Sequence, residues 1–315
     1  MDIFEVAKLL MHPKTFSEGC NPVKDYVYHN FIILAERKIT EKKIKKGIYK
    51  YYKDTTEPEK IEIINNISKV KDIYFPYPWC NNLIKSKKKY MNDFIVNYDP
   101  DKDLKYSQIY NKKIYFPLTY SKKQIQSYLF QLQIVEQNDE SPHKYLTDSF
   151  NVNEEDIVVD CGVAEGNFSL SVVETVKRLY LFEPEEIWMK PLKATFEPWK
   201  DKIVIVQKYV SNVTDEKSIT IDDYFENIEE PTFIKIDIEG YEKYCIEGAK
   251  KILSSKKLQK IVCCTYHKQD DEEVIGNILK SYNFTISASK GYMIFKCDPS
   301  LKEPFLRRGV IRCKK

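Results

Sequence analysis

Glycine is scarce in this chain, with nine residues in 315. That scarcity excludes Gly-x-y repeats and long glycine-rich linkers. Eight cysteines are present but scattered, with no Cys-x-x-Cys pair, so neither a zinc ribbon nor a thioredoxin-like redox motif is indicated. Cys263 and Cys264 are adjacent in an expected strand, where neighbouring side chains take opposite faces. The cysteines read as reduced, mostly buried thiols of a cytoplasmic protein. No apolar run is long enough to cross a bilayer. The first ten residues lack the basic start and apolar core of a secretory signal. Charge of one sign is also lacking: 50 basic and 47 acidic residues leave a net +3. The whole chain therefore carries no electrostatic footprint for nucleic acid.

A composition of 43% hydrophobic and 31% charged residues is that of an ordinary globular protein. The length suits one large domain with an appendage, or two domains. In the N-terminal part the patterns are mostly helical. Ile44, Ile48 and Tyr51 recur at helical spacing after Thr40, and Pro58 opens a second helix with Ile61, Ile64 and Ile67 on one face. Pro76-Tyr77-Pro78-Trp79 reads as an extended segment, and Lys113 to Leu118 as a strand. Ser121-Lys122-Lys123-Gln124 is a capping box that starts a helix carrying Ile125, Tyr128, Leu129 and Leu132. From about Thr147 strands alternate with helices. Five strands are expected at Ile157–Asp160, Leu179–Phe182, Ile203–Val206, Phe233–Ile238 and Ile261–Thr265. A terminal hairpin follows, from Phe284–Ser287 and Tyr292–Lys296. Such alternation predicts an α/β fold, a doubly wound, mostly parallel seven-stranded sheet of Rossmann-like form, with at least one antiparallel strand and a largely helical N-terminal appendage.

Two of the nine glycines share one turn. In Val159-Asp160-Cys161-Gly162-Val163-Ala164-Glu165-Gly166-Asn167-Phe168 a short apolar run ends in an acid, and a helical pattern follows. Glycine lets the backbone approach a ligand, and a helix start offers free N–H groups. Glu165, Gly166, Asn167 and Phe168 then border the ligand. About twenty residues on, Glu183-Pro184 closes the second strand, where an acid can accept both hydroxyls of a ribose. Val210 and Ser211, just after the third strand, are placed to flank an adenine. The dinucleotide fingerprint Gly-x-Gly-x-x-Gly fails at two of three positions, since Ala164 and Asn167 stand where glycines are required. Asp160 before Gly162 instead suits a cationic ligand with an amino-acid end, as S-adenosylmethionine is.

The fourth strand alternates. Ile234, Ile236 and Ile238 share one face; Lys235, Asp237 and Glu239 share the other. A central strand should be apolar on both faces, so three charges there mark a site. His267, at the end of the fifth strand, would face the same crevice, and histidine is the usual base near neutral pH. His12, His29 and His143 lie outside the expected strand ends. Asp237 and Glu239 would orient the acceptor or polarise His267. They are also the candidates for a divalent cation, which is not favoured because two carboxylates are few for an all-protein cage.

With these pieces assembled the chain resembles the FkbM-type S-adenosylmethionine-dependent methyltransferases. The matching motifs are Val159-Asp160-Cys161-Gly162, Phe182-Glu183-Pro184, Ile221-Asp222-Asp223-Tyr224, Ile234 to Gly240 and Tyr266-His267-Lys268, in the family's order over roughly residues 140–296. The resemblance implies the class I methyltransferase fold and O-methylation of a sugar, glycan or small polyhydroxylated metabolite. It also implies that Asp160, Gly162 and Glu183 hold the cofactor. The family's usual Asp-x-Gly-Ala-Asn-x-Gly is altered, with Ala164 in place of asparagine and a charge at Glu165. That charge would meet the cofactor's amino group or a substrate hydroxyl, or else stand solvated in the first helical turn.

The expected division is an appendage at 1–140 that selects the acceptor or acts as a lid, a donor-binding domain at 141–298, and a basic tail at 299–315. Tyr74, Phe75, Tyr77 and Trp79 would stack on a sugar ring or, more plainly, pack the appendage onto the main domain. The tail is a solvated end or a phosphate contact. Two other functions are open: a nucleic-acid methyltransferase, which the missing Asn- or Asp-Pro-Pro-aromatic segment disfavours, and a nicotinamide oxidoreductase or silent nucleotide-binding module. The expected partner is a small-molecule or glycan acceptor, with no nucleic acid and no membrane span.

Overall fold

A computed structural model describes residues 40–69, 75, 78–296, 298 and 300–315. Tyr74, Pro76, Tyr77, His12 and His29 lie outside the described residues. β1 (Asn97–Asp99), β2 (Leu104–Ile109) and β3 (Lys112–Phe116) form a small antiparallel sheet. The main sheet takes β4 (Ile157–Cys161), β5 (Arg178–Phe182) and β6 (Ile203–Val206). The short β7 (Tyr209–Val210) and β8 (Ser218–Ile219) pair only with each other. β9 (Phe233–Ile236), β10 (Lys260–Cys264), β11 (Thr285–Ala288) and β12 (Val310–Lys314) complete the main sheet in the order β11-β12-β10-β9-β4-β5-β6. Pairing is parallel from β10 through β9, β4 and β5 to β6 and antiparallel on both sides of β12. The chain runs outward from β4 to β6, then returns to β9 on the other side of β4. That reversal opens a crevice at the carboxyl ends of β4 and β9.

Alternation along these strands builds two cores. Val158, Leu181, Phe233, Val262 and Cys264 face one side of the sheet. Val159, Cys161, Phe182, Ile234, Ile236 and Cys263 face the other. The first core also takes in Phe116, Ile125, Leu129, Phe130 and Val135, so the N-terminal elements pack onto the main sheet itself. Phe75 is buried there with Trp79 against it, their ring centroids 5.9 Å apart, which is the packing role rather than a sugar platform.

Several sequence expectations need correction. Residues 40–52 are helical, but Tyr52, not Tyr51, joins Ile44 and Ile48 inside. In Pro58–Ile67 the buried residues are Ile63 and Ile67, and Ile61 is exposed. Pro78 opens the helix Pro78–Lys85 rather than continuing an extended segment. The capping box at Ser121 and Gln124 is formed, and the helix it starts passes into a π-helix at Phe130–Glu136. β9 stops at Ile236, so Asp237 and Glu239 lie beyond the strand. Tyr292–Lys296 is not a strand, and no terminal hairpin forms. The antiparallel strand is β12, inside the segment read as a basic tail. Its alternation buries Val310, Ile311 and Cys313, while the cations that disguised it bind carbonyls: Arg312 Nε donates to Tyr145 O at 2.9 Å and Lys315 Nζ to Leu253 O at 2.6 Å.

Candidate functional site

The glycine turn after β4 is needed for packing as much as for any ligand. A Cβ on Gly162 (φ +81°) would sit 1.9 Å from the Asp237 carbonyl oxygen, and one on Gly166 (φ +93°) would meet Phe196 at 2.7 Å. Both conformations are ones that L side chains rarely adopt. Register across β4 and β9 sets Asp160 opposite Lys235. Their charges pair at 2.9 Å, both side chains at most 4% exposed. Ser169 Oγ donates to the other Asp160 oxygen at 2.7 Å, and Lys235 Nζ also donates to Gly162 O at 2.7 Å. Burial alone would lower the Lys235 pKa, but Asp160 and Asp237 raise it well above the usual lysine range. Asp160 thus meets a cation from its neighbouring strand, and Lys235 holds the loop instead of facing the crevice.

Glu183, at the end of β5, is buried, and its two oxygens accept the Ala164 N–H at 2.7 Å and the Glu185 N–H at 2.9 Å. Burial pushes its carboxyl pKa up against those two bonds. Each oxygen keeps a lone pair, so a fixed, partly satisfied acceptor stands where a ribose diol would fit. Pro184 follows it, half-buried; Val210 is buried and Ser211 half-buried beside β7. Glu165 is not solvated. It is 3% exposed and accepts Tyr128 Oη at 2.9 Å and the Asn167 N–H at 3.2 Å. Burial raises its carboxyl to about 7. Asn167 turns its side chain toward Tyr110 and Gln133, and Phe168 packs in the core beside Tyr145 and Phe233.

At the other end of the crevice the Asp237 N–H donates to Cys161 O at 3.1 Å, which fixes the residue just past β9. Tyr145 Oη donates to Asp237 Oδ2 at 2.5 Å. His143 Nε2 lies 3.6 Å from Oδ2, and His267 Nε2 lies 3.7 Å from Oδ1. Burial would raise the Asp237 carboxyl, but His143, Lys235 and His267 hold it well below the usual carboxylate range. His267 is buried, with Nδ1 2.8 Å from Glu242 Oε1 and Nε2 3.5 Å from Glu239 Oε2. Burial alone would lower its pKa; Glu242, Glu239 and Asp237 outweigh that and raise it to about 9. Arg307, from the supposed tail, donates to the carbonyls of Tyr266 at 2.9 Å and His267 at 2.6 Å, and so braces the segment after β10.

From sequence the segment Ser141–Tyr145, which carries His143 and Tyr145, is expected only to close over the cofactor's methionine end and Arg307 only to sit in the basic tail, while Glu242 is not singled out. The i, i+2 spacing of His143 and Tyr145 was the available signal, because it puts both side chains on one side of an extended segment. Two groups of described residues have ligand-type atoms within 4.8 Å of one another: His143, Asp237 and Cys264; and Asp237, Glu242 and His267. Glu239 is in neither group, and its side chain is 55% exposed. The Asp237–Glu239 pair is thus not gathered as a cation cage.

Residues 151–286 match the methyltransferase FkbM domain. A crystal structure of methyltransferase FkbM from Methylobacillus flagellatus KT aligns at 16% identity with a TM-score of 0.43, over 77% of this chain and 62% of that one. An rRNA methylase from Streptococcus thermophilus aligns at 15% identity and a TM-score of 0.33, over 52% of this chain and 89% of its own. SMU.1697c from Streptococcus mutans, named as a methyltransferase and solved in complex with SAH, aligns at 13% and 0.36, over 52% and 90%. No curated protein matches. This chain therefore spans under two thirds of the length of the FkbM structure. The fold is of the class I methyltransferase type. More particularly, residues 151–286 are similar to the methyltransferase FkbM domain.

Proposed function

We propose that the protein transfers a methyl group from S-adenosylmethionine to a hydroxyl oxygen of a sugar, glycan or small polyhydroxylated acceptor. What supports this reading is that the buried Glu183 carboxylate follows β5 and Asp237 follows β9, at the carboxyl ends of the two strands that flank β4, with His267 beside Asp237. S-adenosylmethionine, when bound, supplies a methyl already activated on a sulfonium sulfur. Glu183 accepts its ribose hydroxyls, and Val210 and Ser211 flank its adenine. The Gly162–Gly166 turn, stiffened by Asp160 and Lys235, lies along its amino-acid end. Asp237 and Glu239 orient the acceptor, and His267 takes the proton from its hydroxyl. The N-terminal segment covers the donor loop through Tyr128 and Glu165. Among the described residues no helix is long and apolar enough to cross a membrane.

Because His267 is protonated below about pH 9, the reading requires kcat/KM to rise with pH toward that value. Calorimetry with S-adenosylmethionine, S-adenosylhomocysteine and NAD tests the donor. A methyl-transfer screen over glycans, nucleotide sugars and polyols tests the acceptor. Preference for NAD, or methylation confined to RNA, would overturn the corresponding half.

A further inference from the structure

Glu242 opens the helix Glu242–Glu247, where an acid ordinarily stands in solvent and favours the helix dipole. Here it is fully buried. Its Oε1 lies 2.8 Å from His267 Nδ1 and also accepts the N–H groups of Ile238 at 3.0 Å and Gly240 at 3.2 Å. One oxygen therefore ties together two parts of the chain. The turn it holds is strained, since Glu239 (φ +56°) and Gly240 (φ +95°) are both left-handed. For a non-glycine residue such a conformation costs on the order of 1–3 kcal/mol and persists only where surrounding contacts over-determine it. The turn carries Glu239 to within 3.5 Å of His267 Nε2. Neither ring nitrogen makes an aligned hydrogen bond although the side chain is 1% exposed, but Nδ1 has a carboxylate oxygen at 2.8 Å whereas Nε2 has none nearer than 3.5 Å. It faces the space where Asp237 Oδ1 and Glu239 Oε2 converge.

The second buried imidazole has no such unit. His143 Nδ1 is 3.9 Å from Glu136 Oε2, and its Nε2 already lies 3.3 Å from Tyr266 Oη.

We infer that Glu242 is the positioning residue of the reaction end: it holds His267 with Nδ1 protonated, so that Nε2 is the atom that receives the acceptor's proton, and it fixes the turn that sets Glu239 beside that atom. The origin of the proton rests on the methyl-transfer reading; the Glu242–His267 unit does not. In the step, the acceptor O–H bond breaks as its oxygen bonds the methyl carbon. The methyl–sulfur bond breaks with its electron pair left on sulfur, and the proton goes to Nε2. The resulting imidazolium is stabilised by Glu242, as an orienting carboxylate does in a hydrolase triad. Glu239, in contact with solvent, then passes the proton to water.

The groups facing the ring come from every element around it. Asp237, Glu239 and Glu242 follow β9, Asp271 opens the helix Asp271–Ser281, and His143 comes from the segment before β4. The rings of Tyr266 and Phe295 pack at 4.1 and 5.1 Å between centroids. Glu242 is the carboxylate in closest contact.

The test uses the full chain with isotope-labelled histidine, saturated with S-adenosylhomocysteine, and compares wild type with Glu242→Gln by NMR. In wild type the His267 ring should titrate near pH 9 and, above that, show the Nδ1–H tautomer. In Glu242→Gln the midpoint should fall by at least about one pH unit, a tenfold loss of proton affinity. Glu242→Asp should restore part of that fall. A variant that binds S-adenosylhomocysteine as wild type does, yet leaves the His267 midpoint unmoved, would overturn the inference. If Glu242→Gln does not fold, the wild-type tautomer decides: Nε2–H at high pH would overturn it. Failure of wild type itself to bind S-adenosylhomocysteine sinks the methyl-transfer reading instead, and the titration is then read in the free protein.

Discussion

Replacing Glu165 by glutamine should stabilise the protein in mildly alkaline solution and not in acid. Glu165 is 3% exposed beneath Tyr128, and its carboxyl is raised by burial from 4.5 to about 7. A group whose folded pKa lies above its unfolded value contributes stability that is fully present below the unfolded pKa. That contribution is lost as pH rises through the folded one. Here the loss begins near pH 4.5 and is complete above about pH 8. A rise from 4.5 to about 7 corresponds, at 1.36 kcal/mol per unit, to a loss of ~3 kcal/mol. Glutamine does not ionise and escapes it. Its amide nitrogen, however, cannot accept, so one of the two bonds from Tyr128 Oη and the Asn167 N–H is lost. That costs about 1 kcal/mol at every pH. Glu165→Gln should therefore be nearly as stable as wild type at pH 5, where the wild-type loss already offsets most of that cost, and about 2 kcal/mol more stable at pH 8.5. Urea unfolding at both values measures the difference, and the other titrating groups cancel between the two proteins. A difference that is the same at pH 5 and pH 8.5 would refute the reasoning, because it would mean that Glu165 is solvated in the folded state.

Other substitutions probe other joints of the site. Lys235→Met leaves Asp160 buried without its cation and should cost about 3–5 kcal/mol in urea unfolding; adding Asp160→Asn should recover part of that loss. Gly162→Ala sets a methyl 1.9 Å from the Asp237 carbonyl oxygen, and its folded yield and melting temperature should drop sharply. His267→Gln should lower methyl-transfer turnover by about 10²–10⁴-fold while S-adenosylhomocysteine affinity, read by calorimetry, stays near wild type. Full turnover in that variant would remove His267 as the base. Activity should survive EDTA, since in the group that joins Asp237 to a second carboxylate, Glu242 Oε1 is already taken by two backbone N–H groups; loss on chelation with recovery on added magnesium would reverse that view.

Much of the scaffold was legible in the sequence because its signals are local. Ile157–Cys161 and Arg178–Phe182 are apolar runs bounded by turn residues, and both are buried strands. Glu183 closes its strand as expected. What escaped depended on register and on distant segments. That Lys235, Asp237 and Glu239 alternate with isoleucines was visible, but that Lys235 would face Asp160 is set by the pairing of β9 with β4. His143 and Tyr145 reach Asp237 from a loop more than ninety residues earlier in the chain. Glu242 looked like any first-turn acid until its burial was known. β12 was hidden because its arginine and lysines resemble a solvated tail; in the fold they are bound to backbone carbonyls. Glu165 departs from the family's usual loop, and its partner, Tyr128, belongs to the N-terminal elements.

The central claim is that the crevice between β4 and β9 is a methyl-donor site closed by Glu183 at one end and by Asp237 and His267 at the other. Titration calorimetry of the full chain with S-adenosylhomocysteine and with NAD, repeated on Glu183→Ala, tests it most directly. The account predicts saturable binding of S-adenosylhomocysteine, none of NAD, and loss of the former in Glu183→Ala. Binding of NAD in place of S-adenosylhomocysteine, or S-adenosylhomocysteine binding unchanged without Glu183, would contradict it.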